Sequence, residues 1–334
     1  MEEVLEDKTM KYVGRLAPSP TGALHLGNVR TFMIAWLRAR SQGGKVIFRM
    51  EDLDHPKDKP GAAAQAIEDL RWLGFDWDEE YVQSERKAIY REALEALRAQ
   101  GLVYPCVCSR RDVESAQSAP HAGEQLYYPG TCRGKFESWD AAKEFLDASR
   151  VSSDSRDPRN SSRSPCWRFA VASDSCITFD DAFAGHYEQD VSRTLGDFPL
   201  ARDEFGAGYT LACVVDDLLM GVTEVMRGDD LLPATPAQIL LADALRPTLQ
   251  PSTFNLQPSY CHVPLVVGRD GKRLAKRHGD TRIATFREQG KTPEEILGFL
   301  AASCGWAETC ERVTLRDLLP RFDLGTVPKS PFMI

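Results

Sequence analysis

The 334-residue chain has no run of eighteen or more apolar residues, which excludes an ordinary membrane-spanning helix. Its first residues, MEEVLEDKTMKYV, lack the basic-then-apolar layout of a secretory signal, so a cytoplasmic location is expected. Positive charge is also short: the net charge is −8 and the sequence pI is about 5.4. An acidic chain does not advertise phosphate contacts, which need clustered Lys and Arg. Local clusters such as Arg110, Arg111, Arg133 and Lys135 still leave one face open to RNA. Nine cysteines in a cytoplasmic chain speak against a disulfide framework and for metal ligands or buried thiols. No internal repeat is evident.

What is present is alternation. Lys11–Leu16 reads as a strand running into the turn Pro18-Ser19-Pro20-Thr21-Gly22. Val29, Phe32, Met33, Trp36 and Leu37 recur at helical spacing, and Gly43-Gly44 ends that helix. Lys45–Met50 is the next strand, with Glu51-Asp52 at its end. Pro60 opens a second helix with Ala66, Ile67, Leu70 and Leu73 on one face and Gly74 as its stop. Ser84 can cap a third, ending at Gly101. Such alternation implies a parallel α/β sheet. After Tyr104 the character changes. Residues 148–165, ASRVSSDSRDPRNSSRSP, are too polar to offset their ordering entropy and read as a mobile loop. Trp167–Val171 reads as a strand. The α/β pattern returns with Tyr209–Val215 as an apolar strand ending in Asp216-Asp217, then Thr223–Arg227 as another strand. Thr235-Pro236-Ala237-Gln238 has the form of a capping box, and Thr292-Pro293-Glu294-Glu295 caps a later helix. Asp216-Asp217 either shapes a pocket or lies in a solvated loop.

The most informative segment is RLAPSPTGALHLGN, Arg15–Asn28. Strand, tight turn and helix start aim backbone N–H groups and the positive helix end at an anion. Gly22 and Gly27 allow close approach of a ligand, and His25 can donate to phosphate oxygens as charge builds. Taken alone, an ordinary Pro/Gly loop with a surface histidine would look the same. The segment His25-Leu26-Gly27-Asn28 resembles the HIGH signature of class I aminoacyl-tRNA synthetases. Lys272–Gly279, KRLAKRHG, resembles that class's KMSKS loop. Two signatures in this order at opposite ends of an α/β chain are specific together. FRMEDLD and LGFDWDE resemble the glutamyl branch, and within it the short glutamyl-queuosine tRNA(Asp) synthetase family. The loop departs from the pattern at Arg273, which keeps charge, and at Ala275, which loses a hydroxyl. Lys276 is retained.

The resemblance implies a Rossmann-like parallel sheet split by an inserted zinc-containing α+β module. A short helical C-terminal part would follow, with no anticodon-binding domain, since only residues 277–334 come after Lys276. The implied divisions are 1–103 and 206–265 for the two halves of the catalytic domain, 104–205 for the insert, and 266–334 for the loop and helical part. By the same resemblance, His25 and Lys276 act in catalysis and, with Gly27 and Asn28, hold ATP with Mg²⁺. Arg15, Leu16, Ala17, Pro18, Ser19, Glu51, Tyr209 and Arg227 would hold L-glutamate. The chemistry agrees: a guanidinium fork suits a carboxylate, and a carboxylate at a strand end suits an ammonium.

Cys106-Val107-Cys108 followed by Tyr128 and Cys132 matches the family's C-x-C and Y-x-x-x-C zinc ligands, implying one structural Zn²⁺. Buried thiols are the plain alternative, and Tyr127 or His121 could replace Tyr128. The expected activity is tRNA-independent formation of glutamyl-adenylate. Transfer to queuosine in the anticodon stem-loop of tRNA(Asp) would follow, carried out by a monomer. A shortened enzyme charging tRNA(Glu), or an amino-acid:carrier ligase, would use nearly the same residues.

Overall fold

The computed structural model describes residues 11–53, 59–116, 126–152, 163–249, 257–272, 274 and 280–334. The chain opens with β1 (Val13–Leu16), α1 (Leu26–Ser41), β2 (Lys45–Met50), α2 (Ala62–Trp72) and β3 (Glu79–Val82). The three strands are parallel, with Val13 opposite Lys45 and Ile47 opposite Glu79. β2 is buried from Val46 onward, as a strand covered on both faces must be. Gly44 permits the tight return from α1: a Cβ there would meet the Tyr12 carbonyl oxygen at 2.6 Å. Ser84 does not cap α3 (Lys87–Ala99). Its N–H and Oγ bond the Asp52 carboxylate at 2.8 and 2.6 Å instead, and a 3-10 turn, Gln83–Arg86, precedes the helix. A carboxylate acceptor outcompetes a cap.

Next come β4 (Val103–Cys106), α4 (Arg110–Ala116), α5 (Trp139–Ser152), β5 (Cys166–Phe169), β6 (Cys176–Asp181), β7 (Gly185–Asp190), α6 (Val191–Thr194) and β8 (Phe198–Ala201). Strands β4, β5 and β8 form a small antiparallel sheet. Of the expected loop 148–165, residues 148–152 continue α5, and 153–162 lie outside the described residues.

The last part holds α7 (Tyr209–Leu219), β9 (Glu224–Gly228), α8 (Thr235–Leu249), β10 (Ser259–Val263), β11 (Val266–Val267), α9 (Ile283–Glu288), α10 (Pro293–Ala302), α11 (Leu315–Leu318) and β12 (Phe332–Met333). Two expectations are corrected here. Tyr209–Val215 is helical, not a strand. An apolar run reads the same in a buried helix and a buried strand. Here Leu211 through Leu218 are all buried, and helical turning lets the adjacent Asp216 and Asp217 both reach cations. Thr235 is not a cap either: it is already helical, following the 3-10 turn Asp229–Ala234, and its hydroxyl serves Arg227. The capping box at Thr292 is present, with Glu295 returning the bond.

β10 pairs in parallel with β9 and β6, and the β6–β7 hairpin thereby joins the outer edge of the main sheet. β1 lies beside β9: the Thr223 amide donates to the Val13 carbonyl at 2.9 Å. The spatial order is β3-β2-β1-β9-β10-β6-β7, so the winding reverses between β1 and β9. Ligands of doubly wound sheets bind at that reversal, outside the carboxyl ends of the strands. The core beneath it joins α1 (Val29, Met33, Leu37) to Phe48, Leu70, Leu297 and Leu318.

Candidate active site

A cavity of about 410 Å³ opens at the β1/β9 reversal. It is lined by Arg15, Ala17, Pro18, Ser19, His25, Gly27, Asn28, Glu51, Tyr209 and Arg227 among others. Leu16 is the exception among the expected residues of this region: its side chain is fully buried in the core beneath. The Pro18 carbonyl accepts from the Glu51 amide at 2.9 Å, which hooks the turn to the end of β2. Lys276 lies outside the described residues. The segments flanking its loop are nevertheless tied to the helix start. Leu26 donates to the Thr281 carbonyl at 3.1 Å, Ile283 donates to the Leu24 carbonyl at 2.9 Å, and His25 bridges Arg282.

His25 is the N-cap of α1. Its Nδ1 accepts from the Gly27 amide at 3.1 Å, and the Asn28 Oδ1 accepts from the His25 amide at 3.2 Å. An accepting Nδ1 assigns the neutral ring its proton at Nε2. His25 lines both this cavity and a second one beside Lys59, Gln65 and Arg282.

Charges around the cavity are placed by buried bonds. Arg49 is fully buried and bonds Glu51 Oε1 through Nη2 (3.0 Å) and Asp217 Oδ1 through Nη1 (2.7 Å). Burial opposes the Arg49 charge, but Asp217 and Glu51 outweigh it and hold its pKa well above the ordinary value. Burial and then Glu51 push the Cys213 thiol up, so it stays an S–H donor to the same Oε1 at 3.2 Å. Among the described residues, every side-chain bond that Glu51 receives falls on its Oε1. Asp216 is no solvated-loop residue: Arg86, Tyr90 and Gln83 all bond it, at 2.8, 2.8 and 3.0 Å.

Two further guanidiniums line the cavity with Glu51. Arg15 Nη1 donates to the Met226 carbonyl at 2.6 Å, and its Nε lies 3.8 Å from Asp217. Arg227 Nε donates to His262 Nε2 (2.9 Å), and its Nη2 donates to Thr235 Oγ1 (2.8 Å) and Gln238 Oε1 (2.7 Å). Arg15 Nη2 and Arg227 Nη1 thus carry no protein partner among the described residues. Each arginine presents one η nitrogen to the cavity rather than a whole fork. Tyr209 keeps 42% of its surface exposed, yet its hydroxyl sits among Cys213 and Glu51, and burial drives its pKa well up.

Away from this cavity, the Sγ atoms of Cys106, Cys108 and Cys132 lie within 4.8 Å of one another. The Tyr128 hydroxyl stands 3.2 Å from Cys106 Sγ and 3.7 Å from Cys108 Sγ, and Cys108 and Cys132 Sγ are 3.5 Å apart. A tetrahedron with bonds of about 2.3 Å to sulfur has edges of about 3.8 Å, so the donor set fits a zinc ion. Arg168 Nε donates to Cys106 Sγ at 3.2 Å and its guanidinium covers the Tyr128 ring. Hydrogen bonds from Cys108, Cys132 and Cys166 pull the Cys106 pKa down, while contacts within the same cluster push that of Cys108 up, and burial with those contacts raises that of Tyr128, so the group shares its protons around one thiolate. The phenol that reaches the sulfurs is that of Tyr128, and His121 lies outside the described residues.

The family described as tRNA synthetases class I (E and Q), catalytic domain, matches residues 11–331. A glutamyl-Q tRNA(Asp) synthetase of Symbiobacterium thermophilum is 45% identical, covering 96% of this chain and 95% of that relative. One from Rhodopirellula baltica is 43% identical, covering 96% of each. The chain belongs to the class I tRNA synthetases, among the glutamyl-Q tRNA(Asp) synthetases. A glutamate–tRNA ligase of Aquifex aeolicus is 36% identical over 95% of this synthetase but only 63% of its own length. The solved glutamate tRNA ligase of Elizabethkingia meningosepticum, in complex with its amino acid, matches with a TM-score of 0.75 at 27% identity. That match covers 97% of this chain and 67% of the other.

Several residues that build the synthetase site escaped the sequence reading: Arg49 and Cys213 around Glu51, and Thr235, Gln238 and His262 around Arg227; Asp217 was singled out there, as pocket-shaping or solvated, without its partner Arg49. One signal was available. Arg49 sits in an apolar strand, KVIFRM, and a charge buried there demands partners such as the acidic pair after YTLACVV. The residues holding Arg227 gave none, since their contacts arise only from packing.

Proposed function

We propose that this enzyme activates L-glutamate with ATP as glutamyl-adenylate, without needing tRNA for that step, and transfers it to the queuosine base in the anticodon of tRNA(Asp). The observation that carries this reading is one cavity with two arginine nitrogens and a carboxylate, beside the start of α1. Glutamate has two carboxylates and one ammonium, and the cavity offers the complementary set. Arg15 Nη2 and Arg227 Nη1 take the side-chain carboxylate. Glu51 takes the ammonium on Oε2, since Oε1 is occupied. Ser19 and Tyr209 add hydrogen bonds. The α-carboxylate then attacks the α-phosphate of ATP and pyrophosphate leaves. His25 donates from Nε2 to the charge building on phosphorus, and Lys276 stabilises the departing pyrophosphate. Gly27 and Asn28 let phosphates approach the helix start. ATP would enter as its Mg²⁺ complex, the ion supplying neutralisation of phosphate charge. Little covalent work falls to the protein; alignment and fixed charge supply the rate.

Cys106, Cys108, Tyr128 and Cys132 would hold one structural Zn²⁺ that ties the Tyr128–Cys132 segment to the end of β4 within the insert. The divisions 1–103, 104–205, 206–265 and 266–334 are kept as two catalytic halves, insert and C-terminal part, with the β6–β7 hairpin tying the insert to the catalytic sheet. The enzyme is placed in the cytoplasm as a monomer. Arg133 is committed to the buried Asp197, whereas Arg110 beside Glu114 stays exposed and open to a phosphate.

The test is isotope exchange between pyrophosphate and ATP in a tube containing enzyme, ATP, glutamate and no RNA. Exchange that needs glutamate supports the reading, and exchange with glutamine or aspartate in its place contradicts it.

A further inference from the structure

Among the described residues Arg227 is held only by neutral acceptors: His262, Thr235 and Gln238. Among the described residues no carboxylate pairs with it. Its charge is therefore left for a ligand, which is unusual for a buried arginine. The geometry behind it runs through three strands. His262 on β10 points Nε2 at Arg227 and Nδ1 at Asp181 Oδ2, 2.6 Å away on β6. Asp181 cannot swing, because its Oδ1 accepts from the amides of His262, Phe183 and Ala184 at 3.0, 3.0 and 2.8 Å.

An imidazole that accepts from a guanidinium at Nε2 must be neutral, with its proton at Nδ1. Asp181 demands that proton and so selects the tautomer. We propose that Asp181 and His262 are positioning residues that aim Arg227 Nη1 at the substrate carboxylate and keep its charge uncompensated. The inference rests on the glutamate reading of the cavity and assigns that reading's specificity to a relay from the β6–β7 hairpin.

A pH dependence follows. A protonated His262 would turn its acceptor into a donor against Arg227 and add a second cation. The groups facing it are Asp181 from β6, Arg227 from β9, Arg15 from β1, Thr235 and Gln238 from α8, and Tyr260 from its own strand. Burial first, then the two arginines, lower the His262 pKa against the opposing pull of Asp181. A depressed histidine stays neutral through the physiological range, so the effect begins only as pH falls below the ordinary value of about 6.5.

The experiment measures glutamate-dependent pyrophosphate exchange by the full chain from about pH 5 to 8, with KM for glutamate and for ATP taken separately. For the wild type, KM for glutamate should climb on the acid side while KM for ATP does not follow. His262→Gln should raise KM for glutamate about tenfold, leave KM for ATP within about twofold, and abolish the acid limb. Asp181→Asn should move KM for glutamate the same way, and it decides the matter should His262→Gln fail to fold. A folded variant with wild-type glutamate KM and an unchanged acid limb overturns the relay, as does a wild type whose glutamate KM ignores pH. No glutamate-dependent exchange in the wild type at any pH would overturn the substrate reading, and this inference with it.

Discussion

Glu51→Gln tests the ammonium site most sharply. The substitution keeps shape and leaves an acceptor at Oε1 for Arg49 Nη2 (3.0 Å) and for the Cys213 thiol (3.2 Å). It removes the charge and replaces the outward oxygen with an amide that points donors at a cation. A charge-assisted hydrogen bond is worth about 1.5–3 kcal/mol, so KM for glutamate should rise about 10- to 150-fold. Folding should suffer less. Arg49 keeps Asp217 at 2.7 Å and Asp216 at 3.9 Å, so its charge is not stranded. The loss of stability should stay near 1–2 kcal/mol, read from denaturant unfolding. The assay is pyrophosphate exchange at varied glutamate and fixed ATP, with KM for ATP as control. A folded variant whose glutamate KM lies within twofold of the wild type would refute the assignment of the ammonium to Glu51.

Lys276→Ala should lower the exchange rate at least about tenfold, or about 1.4 kcal/mol on the barrier; an unchanged rate would remove Lys276 from the chemistry. Purified protein should carry stoichiometric zinc by elemental analysis. Cys108→Ser should lose most of it and melt the β4-β5-β8 region, while exchange falls by only a few fold. Retention of full zinc by that variant would exclude Cys108 as a ligand. Gly298→Ala should cost about 1–3 kcal/mol of stability, because a Cβ there would lie 1.7 Å from the Glu311 carbonyl oxygen. A melting temperature equal to the wild type would show that α10 can shift without cost.

What the sequence disclosed was local. Strand β2 was legible residue for residue, because Lys45–Met50 is an apolar run between a Gly pair and an acidic end. The start of α1 was legible because turn, cap and helix lie within one short segment. Tyr209–Val215 was misread because burial from Leu211 onward erases the period that separates helix from strand. Thr235 and Gln238 looked like a cap and proved to be the cradle of Arg227: a capping pattern records polar groups at a helix start, not where they point. The pairing of β6 with β10 joins residues far apart in sequence, and no local signal announces it.

Glutamate should end on queuosine rather than on the terminal ribose of a tRNA. Labelled glutamate, ATP and the full chain should therefore be incubated with tRNA(Asp) bearing queuosine, tRNA(Asp) lacking it, and tRNA(Glu). Label is expected on the first alone, and it should persist when the 3′-terminal adenosine has been removed before the reaction, which leaves the queuosine diol intact. Label on tRNA(Glu), or on tRNA(Asp) without queuosine, would contradict it.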